Sequence, residues 1–159
     1  MGTPGRNWMF GFVETDEGIT GIGEATTEYQ EQAVIAAIEQ HFAPFLIGRD
    51  PTEIERLWQS MYRLYWWRQG VVMTSAMSGI EQALWDIAGK AYGQPVYRLL
   101  GGPCRDRVRL YARGDLSLPS QTEEAQAAVA EGFNAFKWGY GPTGRPFDEQ
   151  ENVRCALET

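Results

Sequence analysis

At 159 residues, 43% of them hydrophobic, the chain is long enough to bury one core of ordinary domain size and is expected to be globular. Its formal net charge of −7 excludes nucleic acid as a partner, because that affinity rests on clustered Lys and Arg neutralising phosphates. No apolar run approaches bilayer length, and the opening MGTPGRNWMF lacks the charged-then-apolar layout of a secretory signal, so no membrane partner and a cytoplasmic location are expected.

The first predicted elements are two β-rich runs, WMFGFVET and GITGIGEA, joined by DEG, where Gly18 can supply the positive φ of a hairpin turn. Thr27 and Gln30 then stand at capping-box spacing ahead of a helix carrying Ile35, Ile38, Phe42 and Phe45. A second helix is predicted from DPTE, with Asp50 as cap, Pro51 at the first helical position and Glu53 completing the box. Ile54, Leu57, Trp58, Met61 and Leu64 form its buried side. A third helix is predicted from near Thr74, with Met77, Ile80, Leu84 and Ile87 at spacings of three and four. Gly79 inside it reads as a close-contact position, since glycine there otherwise costs about 1 kcal/mol relative to alanine. QPVYRLLGG adds a short helix begun at Pro95 and stopped by Gly101 and Gly102.

After GGPCRDR the pattern changes. VRLYA, a helix framed by Ser120 and Glu123 and ended at Gly132, and FNAFKW together make a βαβ unit, whose crossover makes the two strands parallel. A further helix is predicted from Asp148. Cys104 and Cys155 fit neither a metal knuckle nor a disulfide framework and are expected to be reduced packing residues. GITGIGEA is not a phosphate loop, because its glycines lie in a hairpin strand with no crossover helix behind them.

AMSGIEQALWDIAGKAYGQPVYRLLGG followed by RDRVRLYA, with TDEGITGIGEA upstream and GFNAFKWG downstream, closely resembles the mandelate racemase and muconate lactonising group of the enolase superfamily, from about Trp8 to Thr159. The resemblance implies an α+β capping domain over residues 1–105, followed over 106–159 by the first β/α units of an incomplete (β/α) barrel. It also implies Mg2+ in the complete parent protein, held by acidic residues at later strand ends beyond Thr159, with none bound by this fragment. Members of the superfamily use a Lys or His base beside such a metal to form an enolate next to a carboxylate. Members also begin with another strand ahead of WMFGFVET, so the sheet is expected to lack an edge and the chain to be truncated at both ends and inactive alone. His41, the single histidine, lies in the first helix and cannot replace a barrel histidine; partly exposed helix surface is its expected place.

Within that frame, Phe133, Ala135, Lys137 and Gly139 share one strand face, and Asn134, Phe136 and Trp138 the other. Lys137 is expected to point into the barrel at the C-terminal end of the strand, where barrel enzymes place their chemistry. As an ammonium it can stabilise an anionic enolate, or act as a base if its pKa is lowered. Read without the family, it is a snorkelling surface lysine. Racemase-like members carry Lys-x-Lys here, whereas KWG puts Gly139 at the second position. This favours a one-sided elimination, as in the acid-sugar dehydratases, over a two-base racemase.

Arg113 and Asp115, on the loop after the first strand, are candidate substrate contacts, and Glu24 and Thr26 fall in GEATTEYQ, which resembles the capping-domain loop that closes over the family's site. Trp66, in LYWWRQG, is a candidate stacking wall, although consecutive tryptophans after a helix also suit interface packing. The resemblance thus implies a sugar acid as the parent's substrate, and a homo-oligomer is expected. The alternatives are a racemase, epimerase or cycloisomerase of the same superfamily, or a non-catalytic module that associates through its raw sheet edge.

Overall fold

Gly18, at φ +81°, turns the chain between two antiparallel strands, β3 (Phe10–Glu14) and β4 (Thr20–Glu24), in a computed structural model that describes residues 2–3, 6–114 and 121–137. The Thr15 hydroxyl closes the turn by accepting the Ile19 N–H at 3.0 Å. Ahead of this hairpin, β1 (Gly2–Thr3) and β2 (Arg6–Asn7) pair antiparallel with each other, in a stretch whose polar sequence carries no strand alternation. The chain divides into two units, Met1–Cys104 and Arg105–Thr159.

In the first unit the hairpin lies against α4 (Val71–Tyr92). Close approach depends on glycine. A Cβ on Gly21 would overlap the Ala83 carbonyl, one on Gly23 the Gly79 carbonyl, and one on Gly79 would stand 2.5 Å from the Ala25 Cβ. The close-contact reading of Gly79 is therefore correct. At this separation α4 side chains reach the outer backbone edge of β4. Gln82 accepts from the Glu24 N–H and donates to the Glu24 carbonyl, both at 3.1 Å; Asp86 accepts from the Ile22 N–H at 2.9 Å; Lys90 donates to the Thr20 carbonyl at 2.6 Å. The spacings match. Four helical residues rise about 6 Å, and two strand residues span about 6.8 Å.

The other helices pack their apolar stripes on α4. Helix α1 (Glu31–Ala36) passes into a π-helical turn (Ala37–Phe42) and then α2 (Ala43–Leu46). At about 100° per residue, Val34 and Phe42 would point some 80° apart in a regular helix. The wider turn makes up the difference, and both are fully buried. Helix α3 (Ile54–Arg63) buries Ile54, Leu57 and Met61, and α4 buries Met77, Ile80, Leu84 and Ile87, all in one apolar cluster with Phe42. Helix α5 (Val96–Leu99) starts after Pro95, with Gly101 and Gly102 at positive φ behind it.

Four expectations need correction. Thr27 does not cap α1: the chain enters through Tyr29 at φ +66°, Gln30 takes the cap position without a side-chain bond, and the Thr27 hydroxyl is buried without a partner among the described residues. Asp50 instead stabilises a turn, accepting the Thr52 N–H at 2.8 Å and hydroxyl at 2.7 Å, while Glu53 is the cap of α3. Helix α4 begins at Val71 rather than near Thr74, because Gly70 in extended conformation supplies the break. Cys104 is exposed rather than packed.

The second unit contains β5 (Ala112–Arg113), α6 (Gln121–Ala130) and β6 (Phe136–Lys137), with the strands parallel. Gly132, at φ +95°, ends the crossover helix. The ladder is shorter than VRLYA and FNAFKW suggest: Val108 and Leu110 lie outside it and are 71% and 66% exposed, and Arg109 bonds the Asn134 side chain instead. Ser120, Cys155 and the helix expected from Asp148 lie outside the described residues.

Candidate functional site

Parity along the two parallel strands sorts their side chains. Ala112 pairs with Phe136, and Arg113 with Lys137. A Cβ at Gly114 would stand 2.8 Å from Phe136 Cζ and 2.6 Å from Glu124 Oε2 of α6, so Gly114, Phe136 and Ala112 share the face that α6 covers. Tyr111, Arg113, Ala135 and Lys137 belong to the opposite face. There Lys137 Nζ lies 5.9 Å from the centroid of the Tyr111 ring, within cation–π range.

Arg113 and Lys137 are exposed and directly opposite each other, and among the described residues no carboxylate pairs with either. Like charges so placed repel. An anion set between them would relieve that repulsion and accept charge-assisted hydrogen bonds from both. The sequence reading missed Tyr111, although its spacing from Arg113 puts both on one face; the signal was there once the register of the two strands was known. Asp115 lies outside the described residues, as do Trp138 and Gly139.

Glu24 and Thr26 are brought together, and both are tied into the first unit. The Glu24 carboxylate accepts the Thr26 N–H at 2.8 Å, and the Thr26 hydroxyl accepts the Met9 N–H at 2.9 Å. Each keeps further capacity, since a carboxylate has a second oxygen and a hydroxyl still has its proton to donate. Tyr29, three residues on, is held at positive φ with its side chain 91% exposed. Trp66 and Trp67 follow α3 and are 96% and 92% exposed, while the neighbouring Arg68 guanidinium sits 5.2 Å from the Tyr62 ring centroid. His41 is exposed on the π-helical turn, 3.3 Å from the Tyr65 hydroxyl.

The metal implied by the resemblance finds no fit among the described residues. No three His, Cys, Asp or Glu side chains there converge into a group that could hold an ion. Among the described residues no helix is long and apolar enough to cross a membrane.

Residues 8–101 match the model of the mandelate racemase / muconate lactonizing enzyme N-terminal domain. The chain is 47% identical over 131 residues to a D-galactonate dehydratase of Variovorax paradoxus, covering 82% of this chain and 34% of that protein. It is 42% identical over 142 residues to a D-mannonate dehydratase of Novosphingobium aromaticivorans, covering 89% and 35%. Among solved structures, an enolase from Pantoea ananatis with bound D-gluconate and Mg superposes with a TM-score of 0.75 at 44% identity, covering 82% of this chain and 32% of that one. The chain spans about a third of the length of these curated relatives.

Proposed function

Since the chain belongs to the mandelate racemase / muconate lactonizing enzyme family of the enolase superfamily, we propose that it is the capping domain and first barrel units of an acid-sugar dehydratase. The reaction is abstraction of the proton next to a carboxylate, followed by departure of hydroxide from the neighbouring carbon. In this reading the complete protein is Mg2+-dependent, with its ligands outside the described residues, and the metal contributes charge stabilisation of the enolate when bound.

One observation carries the reading: Arg113 and Lys137 stand side by side on the strand face that α6 leaves uncovered. They sit toward the C-terminal ends of parallel strands, where barrel enzymes assemble their sites. Two fixed cations at that edge suit a substrate that carries a carboxylate and becomes a dianion as its proton leaves. Lys137 is the electrostatic partner of the substrate carboxylate, and Arg113 with Asp115 holds substrate hydroxyls. Glu24, Thr26 and Trp66 remain candidate substrate contacts of the first unit taken by itself, where Glu24 retains one acceptor, Thr26 one donor and Trp66 an exposed ring face. Gly139, where a second lysine would serve a two-base racemase, leaves that side without a base.

The test is mass spectrometry on a full-length protein carrying this sequence, incubated with D-galactonate, D-mannonate and D-gluconate in deuterated water. Loss of one water from a sugar acid is expected. Solvent deuterium entering isomers of otherwise unchanged composition would overturn the dehydratase reading in favour of a racemase or epimerase.

A further inference from the structure

Tyr111 and Arg113 of the first barrel strand and Ala135 and Lys137 of the second share the strand face that α6 leaves uncovered. The Ala112 N–H donates to the Ala135 carbonyl and the Gly114 N–H to the Lys137 carbonyl, both at 3.0 Å. That register sets Lys137 against Arg113 and, one step back, the small Ala135 beside Tyr111, which leaves the diagonal between the Tyr111 ring and the lysine open. Across it Lys137 Nζ lies 5.9 Å from the ring centroid. A lysine carries its charge on a flexible four-carbon stem, and the guanidinium opposite repels it. Under those two influences alone the ammonium would swing out into water. The Tyr111 ring offers a negative face, and among the described residues it is the one group on this strand face that attracts a cation.

We propose that Tyr111 is a positioning residue, whose ring holds the Lys137 ammonium beside Arg113 in place for the substrate carboxylate. This role rests on the sugar-acid site proposed above and adds to it a group that touches no reacting atom. At an exposed site such a contact favours the held rotamer by roughly two- to fivefold, and by more where water is excluded. Arg113 needs no comparable support, because a planar guanidinium presents its donors in a fixed fork, whereas an ammonium has to be aimed. The ring does the holding, and the phenol hydroxyl plays no part.

NMR and kinetics together test this. The 159-residue chain has two lysines, Lys90 and Lys137, so lysine-selective carbon-13 labelling gives one ε-methylene signal from each, with Lys90 as internal reference. The Lys137 ε-protons are expected to be shifted upfield by the ring, to keep that shift in Tyr111→Phe and to lose it in Tyr111→Leu, with the Ala112 and Gly114 amides still protected from exchange. In a full-length protein carrying this sequence, Tyr111→Leu is expected to lower kcat about fivefold or more with KM within about twofold, while Tyr111→Phe matches the parent. Added to Lys137→Met, Tyr111→Leu should cost nothing further, because it acts only through the ammonium. The kinetic cycle is run on whichever reaction the protein performs, dehydration or isomerisation, so the dehydratase reading can fail while the role of Tyr111 is still decided. A Lys137 shift indifferent to Tyr111→Leu overturns the proposal, as does a Tyr111→Phe variant as slow as Tyr111→Leu. Independent losses in the double variant also overturn it, because Tyr111 is then merely structural.

Discussion

The Asp86 carboxylate accepts the backbone N–H of Ile22 at 2.9 Å and, through the same oxygen, the Lys90 ammonium at 2.7 Å. One helix side chain thereby seals a strand edge and orients the cation that seals the next carbonyl along it. Asp86→Ala leaves the Ile22 amide and Lys90 without their partner and is expected to cost about 1 kcal/mol, a value discounted for the exposure of the pair. Asp86→Asn, which keeps an acceptor, should lose less. Urea titration of both variants checks the order.

The same contacts set a pH dependence. The Lys90 hydrogen bond, foremost, holds the Asp86 carboxyl below its ordinary value of 3.8 against the opposing effect of burial, with a lesser contribution from the Ile22 N–H. A carboxyl whose pKa is lower folded than unfolded binds more protons in the unfolded chain. Its stabilisation is therefore full above the unfolded value and is lost as the pH falls through the folded one. Unfolding free energy should decline below about pH 4, and Asp86→Asn should flatten that decline.

Gly23→Ala is expected to be far more damaging than its single added carbon suggests. The new methyl would occupy the position of the Gly79 carbonyl oxygen, a backbone atom that can move only if α4 leaves the hairpin. A loss of roughly 3 kcal/mol follows from overpacking of this kind. The matched substitution Gly11→Ala, on the neighbouring strand with open space around it, should cost much less. Thermal melts of the pair separate the two cases.

Asp50 is held below its ordinary value by the Thr52 hydroxyl first and the Thr52 N–H second. Thr52→Val removes the larger cause while keeping the side-chain shape. The Asp50 titration, followed by carboxyl carbon NMR, should then move up toward 3.8.

Lys137→Met should leave the stability of this chain within about 0.5 kcal/mol, since Lys137 is exposed and, among the described residues, its one ring contact is at 5.9 Å. In a full-length protein the same substitution should lower turnover of a sugar acid by roughly a hundredfold or more, because a fixed charge at the developing anion is lost. Equal turnover in both would remove Lys137 from the proposed site.

Periodicity made the long elements legible. Met77, Ile80, Leu84 and Ile87 recur at helical spacing and all are buried, and alternation alone separated Lys137 from Phe136. Helix starts were less legible, because a Thr or Asp at capping distance states only what a side chain can do. Tyr29 at positive φ and the Asp50–Thr52 turn decide the outcome from the backbone. The Lys137–Tyr111 contact depends on the register of two strands separated by a helix, which local sequence does not encode. The edge bonds of Gln82, Asp86 and Lys90 depend in turn on a helix-to-strand approach that only the glycines of both partners allow.

The π-helical turn carries a consequence for tolerated chain length. Val34 and Phe42 are eight residues apart and both fully buried, but seven residues of ordinary helix would bring them within about 20° of the same direction. Deleting one exposed position such as Glu39 would thus let the wide turn relax to regular winding with both anchors seated. A helix interior, usually the least forgiving place to shorten a protein, here has one residue to spare.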